Sequence, residues 1–357
     1  MDAHAIAVIR GDGVGQEVVG AGRRVLETLA EVSGGLTLEF REFPWGCAYY
    51  LEHGVMLPDD GLHTLAEFDA IYFGACGFPT VPDAISQHGL ILLIRQSFEL
   101  YVNLRPVRLL PGVTSPLAGR RPGDVDFICV RENTEGEYAG AGGRVHRGTS
   151  YEVALQTTVF TRTGVERVIR YAFELCARLG RSHLTNVTKS NALQHAPVFW
   201  DEVFDEVAAA FPAIETDRNL VDAAAARMVR NPDTLDVLVA SNLFGDILSD
   251  IGGALMGSLG VPPSANLNPG GDLPPMFEPV HGSAPDIAGL GIANPIGTIW
   301  AGAMLLEELG HREEGELVMA AIADVTASGT LTPDLGGSAT TDEFTQAVCQ
   351  ALHRRAG

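Results

Sequence analysis

Strand-like and helix-like segments alternate along the whole chain, and that alternation is the strongest constraint on its fold. AIAVI, residues 5–9, is an apolar run that ends in a glycine turn and leads into QEVVGAGRRVLETLAEV, whose apolar residues recur at helical spacing. FDAIYFGA, VDFICVREN, SHLTNVT and LDVLVASN are further apolar runs, most of them ending in polar residues. GVERVIRYAFELCARL, APVFWDEVFDEVAAAF and DAAAARMVR carry helical periodicity among them. Such alternation predicts an α/β fold with a mostly parallel sheet. In sheets of this kind reactive residues belong just after the C-terminal ends of strands. One stretch breaks the pattern. GVPPSANLNPGGDLPPMFEPVHGSAPD is rich in Gly, Pro and Asn and reads as a long functional loop.

Composition narrows the setting. With 357 residues, 46% hydrophobic and 19% charged, the chain can bury the cores of two domains and is not disordered. No stretch reaches the roughly 20 apolar residues of a membrane span. The N-terminus lacks the basic and apolar regions of a signal peptide. Five cysteines, at 47, 76, 129, 176 and 349, follow neither a disulfide framework nor a zinc spacing, so a reducing, cytoplasmic setting is expected. Twenty-four basic against 45 acidic residues give a formal charge of −21, a field that repels phosphate backbones and argues against nucleic acid as a partner.

Of the 24 basic residues, 23 are arginine; Lys189 is the only lysine. A drift from Lys to Arg explains the missing lysines but not the surviving one. Arginine keeps its proton, whereas a lysine amine can shift its pKa and exchange one. Lys189 follows the strand-like HLTNVT at a polar turn, where a titrating amine would be useful.

NLFGDILSDIGG follows the strand-like LDVLVAS. Asp246 and Asp250 are four residues apart and share one helix face. Their neighbours Phe244, Ile247, Leu248 and Ile251 predict burial, and buried paired carboxylates want a cation. Oxygen-only ligands point to Mg2+ or Mn2+ rather than zinc. Alone, the spacing also fits a solvated acidic face. Arg95, Arg105 and Arg131 stand in IRQSF, NLRPV and VRENTEGEY. Arg131 closes an apolar strand, where an unpaired guanidinium would be costly, and a planar fork suits a carboxylate. A surface ion pair is the competing reading for each. GDGVGQEV is not GxGxxG, so a structural turn is its better reading. HGSAPDIAGLGIANP is richer in small residues that let a ligand approach the backbone, and Asp286 is suited to a ribose diol.

Together these segments resemble the β-decarboxylating dehydrogenases, the family of the 3-isopropylmalate, isocitrate, homoisocitrate and tartrate/D-malate dehydrogenases. NLRP, RENTEGEY, TKSN, SNLFGDILSD and EPVHGSAPDIAG stand in the family's order, and the resemblance runs from GDGVGQEV to TPDLGGSATT. FPWGCAYYLEHG, RENTEGEYAGAGGR and GVPPSANLNP resemble the tartrate dehydrogenase/decarboxylase and D-malate dehydrogenase branch.

The resemblance implies a two-domain α/β fold of the isopropylmalate/isocitrate dehydrogenase type, with a mostly parallel central sheet and no true Rossmann domain. A discontinuous cofactor-side domain, 1–103 plus 257–357, and a central dimerisation and metal/substrate domain, 104–256, would have the active site between them. The chain would be a homodimer with shared sites. Arg95, Arg105 and Arg131 would hold the carboxylates of a small 2-hydroxy acid. Asp246 and Asp250, with Asp222 of the partner subunit, would hold Mg2+ or Mn2+. Tyr138 and Lys189 of the partner subunit would be the acid/base pair, with Asp222 nearby. Glu278, His281, Gly282, Ser283, Ala284, Asp286, Ile287, Asn294 and Asp334 would hold NAD. K+ is a further cation that the resemblance allows.

The implied activity is NAD-dependent, metal-dependent oxidation and β-decarboxylation of a malate-like 2-hydroxy acid, of D-malate/tartrate type. The alternative is a 3-isopropylmalate or other 3-alkylmalate dehydrogenase. A non-catalytic regulatory subunit would lack a metal Asp, the lysine or the tyrosine, and this chain has all of them. The tartrate/D-malate branch usually carries Lys two residues before the first of these arginines and a second arginine just after it; here Leu93 and Gln96 stand there. An apolar lining at Leu93 leaves room for an alkyl group, unless Leu93 packs on a neighbouring helix. Asp286 and Ile287 stand where NADP-dependent relatives place basic and aromatic residues. A carboxylate there accepts from both ribose hydroxyls and repels a 2′-phosphate, which favours NAD.

Overall fold

The computed structural model describes residues 2–356. Its strands are, in chain order, β1 (Asp2–Gly11), β2 (Leu36–Phe43), β3 (Ala70–Ala75), β4 (Val102–Arg108), β5 (Asp126–Glu132), β6 (Gly142–Val145), β7 (Val153–Gln156), β8 (His183–Thr188), β9 (Glu215–Leu220), β10 (Val237–Ala240), β11 (Pro263–Leu267) and β12 (Met276–Pro279). The chain divides into two compact units. The first takes the chain as far as Leu100, then Pro106–Val125 and the chain from Gly253 onward; the second takes Tyr101–Arg105 and Asp126–Gly252. Pro106–Val125, which the sequence reading placed in the central domain, thus belongs with the first unit. Packing is the reason. A Cβ on Gly112 would meet the Thr326 carbonyl oxygen at 2.1 Å, and the Arg108 guanidinium lies 5.1 Å over the Trp300 ring.

In the first unit, β2 and β3 flank β1 in parallel, with Ile6 in register with Phe40 and Ala70. β12 adds to β3 in parallel and pairs antiparallel with β11. Ile6, Ala7, Val8 and Ile9 are all fully buried, which is why β1 reads as a continuous apolar run rather than an alternating one. Helix Gly15–Ser33 buries Val18, Val25, Leu26 and Leu29. Helix Ile296–Glu308 is buried at every residue from Ile296 to Leu306 and is apolar all round, as a central helix must be.

The Gly/Pro/Asn-rich stretch is not one loop. It contains β11 and β12, paired Ser264 to Glu278 and Asn266 to Met276. Their prolines sit at strand ends, Pro263 first and Pro279 last, where a missing N–H does least damage to the ladder.

In the second unit, β5, β10, β8 and β9 run parallel in that order. Helices Arg162–Leu179, Ala196–Ala208, Val221–Arg230 and Asn242–Leu255 alternate with them, the last continuing into the first unit. Thr161 caps the first of these helices, its hydroxyl accepting the Gly164 N–H at 3.0 Å. β6 and β7 form a separate antiparallel hairpin with every residue exposed. The α/β class and the mostly parallel sheet agree with the sequence reading. No described helix is long and apolar enough to cross a membrane.

Candidate active site

In the second unit the parallel pairing of β10 with β5 sets Ala240 beside Arg131. The chain then turns through Ser241 into helix Asn242–Leu255, so the start of that helix lies against the end of β5. Gly245 makes the approach possible, because a Cβ there would stand 2.7 Å from both Cβ and Cγ of Arg131. Arg131 and Arg105, from neighbouring positions in the sheet order, are 3% and 5% exposed.

Both guanidiniums reach the same carboxylate. Arg131 Nη1 makes a short contact with Asp246 Oδ1, and its Nε and Nη2 donate to Asn242 Oδ1 at 3.1 and 2.7 Å. Arg105 Nη1 donates to Asp246 Oδ1 at 3.4 Å and to Ser249 Oγ at 2.6 Å, while its Nε donates to Asn103 Oδ1 at 2.6 Å. The Tyr138 hydroxyl donates to Asp246 Oδ2 at 3.1 Å, and the Arg131 guanidinium lies 5.6 Å from the Tyr138 ring centre. Asp250, one helical turn on, has Arg105 Nη1 at 4.0 Å.

The paired carboxylates are not buried as their apolar neighbours suggested. Their side chains are 36% exposed at Asp246 and 63% at Asp250, and Ile247, 50% exposed, points outward with them. The arginines beneath them are the buried charges instead. Burial raises the Tyr138 phenol above its ordinary value and Asp246 adds to this, against the opposing effect of Arg131. Partial desolvation raises the Asp250 carboxyl, with Arg105 opposing and the like charge of Asp246 adding. The donor set fits a hard divalent cation: oxygen only, on one open face, with positive charge close by but not saturating Asp250.

Glu132, fully buried, holds the loop after β5. Its Oε1 accepts the Thr134 N–H at 2.7 Å and hydroxyl at 2.9 Å, and its Oε2 accepts the Glu135 N–H at 2.9 Å. This loop leads to Tyr138. Lys189 follows β8 and donates to Asp222 Oδ1 at 2.6 Å, in the first turn of helix Val221–Arg230. That hydrogen bond holds the Asp222 carboxyl below its ordinary range. Among the described residues, Asp222, Asp246 and Asp250 do not bring ligand atoms within 4.8 Å of one another, so this chain by itself supplies two clusters rather than one.

In the first unit, Arg95 Nη2 donates to Glu278 Oε1 at 2.6 Å, with side chains 7% and 4% exposed. Asn266 Nδ2 shares that oxygen at 2.8 Å. Glu278, assigned to the cofactor by resemblance, is therefore the buried partner of Arg95, while Arg95 Nε is buried without a partner. Leu93 packs against a buried cluster and lines a cavity of about 550 Å³ with Tyr50, Val55, Met56, Leu57, Leu62 and Ile85.

The remaining cofactor candidates fall into two groups. Asn294 Nδ2 donates to Asp334 Oδ2 at 2.9 Å, and Asp334 also accepts the Thr332 hydroxyl at 2.5 Å. The loop His281–Ile287 runs beside the turn after β1, where the Val14 N–H donates to the Ser283 carbonyl at 2.8 Å. Gly13 has φ +53°, and a Cβ there would meet that carbonyl oxygen at 1.9 Å, so GDGVG is a structural turn that brings the loop close. In the loop, Gly282 and Asp286 are exposed, Ala284 adopts a positive φ of 38°, and Ile287 packs on Val14, Val18 and Ala293. His281 Nε2 is buried with no partner, and burial lowers the imidazole pKa, keeping the ring neutral. An orphaned buried nitrogen that feels the Asp334 carboxylate fits a loop that receives a polar ligand.

Sequence reasoning missed Asn103, Asn242, Ser249 and Glu132. All stand inside or next to the quoted motifs, but neutral polar residues at such places also serve as caps and turns, so type alone does not mark them.

The family profile described as isocitrate/isopropylmalate dehydrogenase matches residues 5–348. The chain is 55% identical over 355 residues to a probable tartrate dehydrogenase/decarboxylase of Bacillus subtilis (strain 168), covering 99% of each. It is 53% identical over 361 residues to the decarboxylating D-malate dehydrogenase of Escherichia coli (strain K12), covering 99% of this chain and 100% of that one. Among solved structures, isocitrate dehydrogenase from Methylococcus capsulatus matches with a TM-score of 0.88 at 35% identity, over 98% of this chain and 99% of that one.

Proposed function

Because the chain belongs to the isocitrate/isopropylmalate dehydrogenase family, whose members here are decarboxylating dehydrogenases, we propose that it performs NAD- and metal-dependent oxidation and β-decarboxylation of a malate-like 2-hydroxy acid. The D-malate/tartrate type is the best match. One observation carries this reading: Arg105, Arg131 and Tyr138 all converge on Asp246, with Asp250 beside them.

Two guanidiniums and two carboxylates sum to zero charge. A dicarboxylate and a divalent cation also sum to zero, so the arginines can turn from Asp246 to the substrate while the aspartates turn to the metal. Mg2+ or Mn2+, held by Asp246 and Asp250 with Asp222 of the partner subunit, would supply Lewis-acid stabilisation, and NAD, held by His281–Ile287 with Asn294 and Asp334, would accept hydride from C2. Lys189 of the partner subunit, having released its own proton to solvent, takes the hydroxyl proton as a neutral amine, and Asp222, 2.6 Å away, holds it in place. Asp222, held in its ionised form by Lys189, is thereby kept in the state that can ligate a metal. Oxidation leaves the second carboxylate β to a keto group. Its loss as carbon dioxide leaves an electron pair at C3, and Tyr138, kept protonated by its raised pKa, donates the proton there.

A shared site requires a second copy. The β6–β7 hairpin offers it an apolar surface, with Val145, Tyr151, Val153 and Leu155 between 44% and 65% exposed. The exposed Asp286 supports NAD over NADP. Leu93 is half-buried and lines an open, mostly apolar pocket, so a 3-alkylmalate remains the alternative substrate. The test is one set of rates with D-malate, tartrate and 3-isopropylmalate, each with NAD and with NADP, in Mn2+. D-malate or tartrate with NAD should have the highest kcat/KM. A preference for 3-isopropylmalate would overturn the substrate class, and a preference for NADP the cofactor.

A further inference from the structure

Asp12, Cys47 and Cys76 lie in the first unit and have no part in the chemistry above. Asp12 is in the turn after β1, Cys47 opens the short helix Cys47–His53, and Cys76 follows β3. One ligand atom from each lies within 4.8 Å of the other two. Asp12 is 4% exposed, Cys47 is fully buried and Cys76 is half-buried. Asp12 Oδ1 accepts the Cys47 N–H at 2.9 Å, and Oδ2 accepts the Gly77 N–H at 3.0 Å. The carboxylate thus ties both thiol-bearing segments to one turn, and each oxygen keeps a lone pair. Among the described residues no cation is paired with Asp12. Burial, together with Asp12, pushes the Cys47 thiol up to about 12 and raises Cys76 as well, so both thiols hold their protons at neutral pH.

We propose that Asp12, Cys47 and Cys76 form a binding site for one thiophilic divalent cation of the zinc and cadmium class. Two sulfurs and a carboxylate oxygen are ligands that such ions take, and Mg2+ does not favour sulfur. Tetrahedral bonds of about 2.3 Å set two sulfurs roughly 3.8 Å apart. That lies within the observed spread, so small side-chain adjustments can close the site. The Ser86 carbonyl, which accepts the Cys76 thiol at 3.2 Å, is close to this sulfur and can serve as the fourth ligand. On binding, both thiol protons leave to solvent; two thiolates and a carboxylate then face the ion's two positive charges, which offsets the desolvation that keeps the empty site protonated.

The test is titration of the purified, reduced, full-length chain with Cd2+ in excess Mg2+, read as thiolate-to-cadmium charge-transfer absorption in the ultraviolet. The band should saturate at one Cd2+ per chain. It should fall by about half or more in Cys76→Ser and vanish in a Cys47→Ser, Cys76→Ser double variant that keeps Cys129, Cys176 and Cys349. No band in the wild-type chain, or an undiminished band in the double variant, overturns the site. If the fully buried Cys47 does not tolerate replacement, Cys76→Ser alone decides: unchanged intensity and affinity overturn it.

Discussion

The charge balance around Asp246 predicts that metal and substrate bind cooperatively. Arg105 and Arg131 face Asp246 and Asp250, with separations of 3.4 Å for Arg105–Asp246 and 4.0 Å for Arg105–Asp250. A dicarboxylate alone would leave the cluster at about −2 and a divalent cation alone at about +2; together they restore neutrality. At about 4 Å and an effective dielectric of 20, one pair of unit charges is worth about 4 kcal/mol. The aspartates are 36% and 63% exposed, so solvent and salt screen most of this. A coupling of about 1–3 kcal/mol remains, or roughly 5–150-fold in affinity. The assay is the Kd for Mn2+, by calorimetry or by loss of the free-ion spin-resonance signal, with and without saturating D-malate and without NAD. Mn2+ should bind more tightly with D-malate, D-malate more tightly with Mn2+ by the same factor, and the factor should shrink in high salt. An Mn2+ affinity unchanged within about twofold would refute the charge argument.

Lys189→Arg keeps charge and donors but not the ability to give up a proton, so kcat should fall by about 10²–10⁴ while the chain folds normally; near-normal kcat would refute the base assignment. Mixing inactive Lys189→Arg with inactive Asp246→Asn subunits should restore some activity, and its absence after verified subunit exchange would argue against shared sites. Leu93→Lys should leave the D-malate to 3-isopropylmalate ratio of kcat/KM within a few-fold, because Leu93 packs against a buried cluster that includes Leu90 and Ile94; a shift of about tenfold or more would place it at the substrate. Tyr72 is fully buried, donates to the Thr298 carbonyl at 2.6 Å, and has its pKa raised by burial. Its folded-state pKa lies above the unfolded one, so the unfolded chain ionises first and stability drops as pH rises through about 10. Tyr72→Phe should cost about 1 kcal/mol at neutral pH and flatten that drop, read by denaturant melts; an equally steep drop would assign it to other groups.

The buried parallel strands were legible because a strand covered on both faces must be apolar throughout, as β1 is at Ile6–Ile9. The β6–β7 hairpin was not, because its four-residue strands are wholly exposed and carry no alternation. β11 and β12 were hidden by prolines that in fact mark their ends. At the site, residue type and spacing exposed Asp246, Asp250, Lys189 and the arginines. Pairing stayed invisible: Glu278 meets Arg95 across 183 residues of sequence, a contact that only the fold creates. The exposure of Asp246 and Asp250 was misjudged for a related reason, since Ile247 looks like core in sequence but faces outward.

Oxidation coupled to loss of the β-carboxylate is the central claim, and one vessel tests it. The chain is given D-malate labelled at C4, NAD and Mn2+, and NADH and labelled carbon dioxide are measured together. The two should appear in equal amounts, both should stop in EDTA, and both should return with Mn2+ or Mg2+. NADH without labelled carbon dioxide, or undiminished turnover of metal-free protein, would contradict the account.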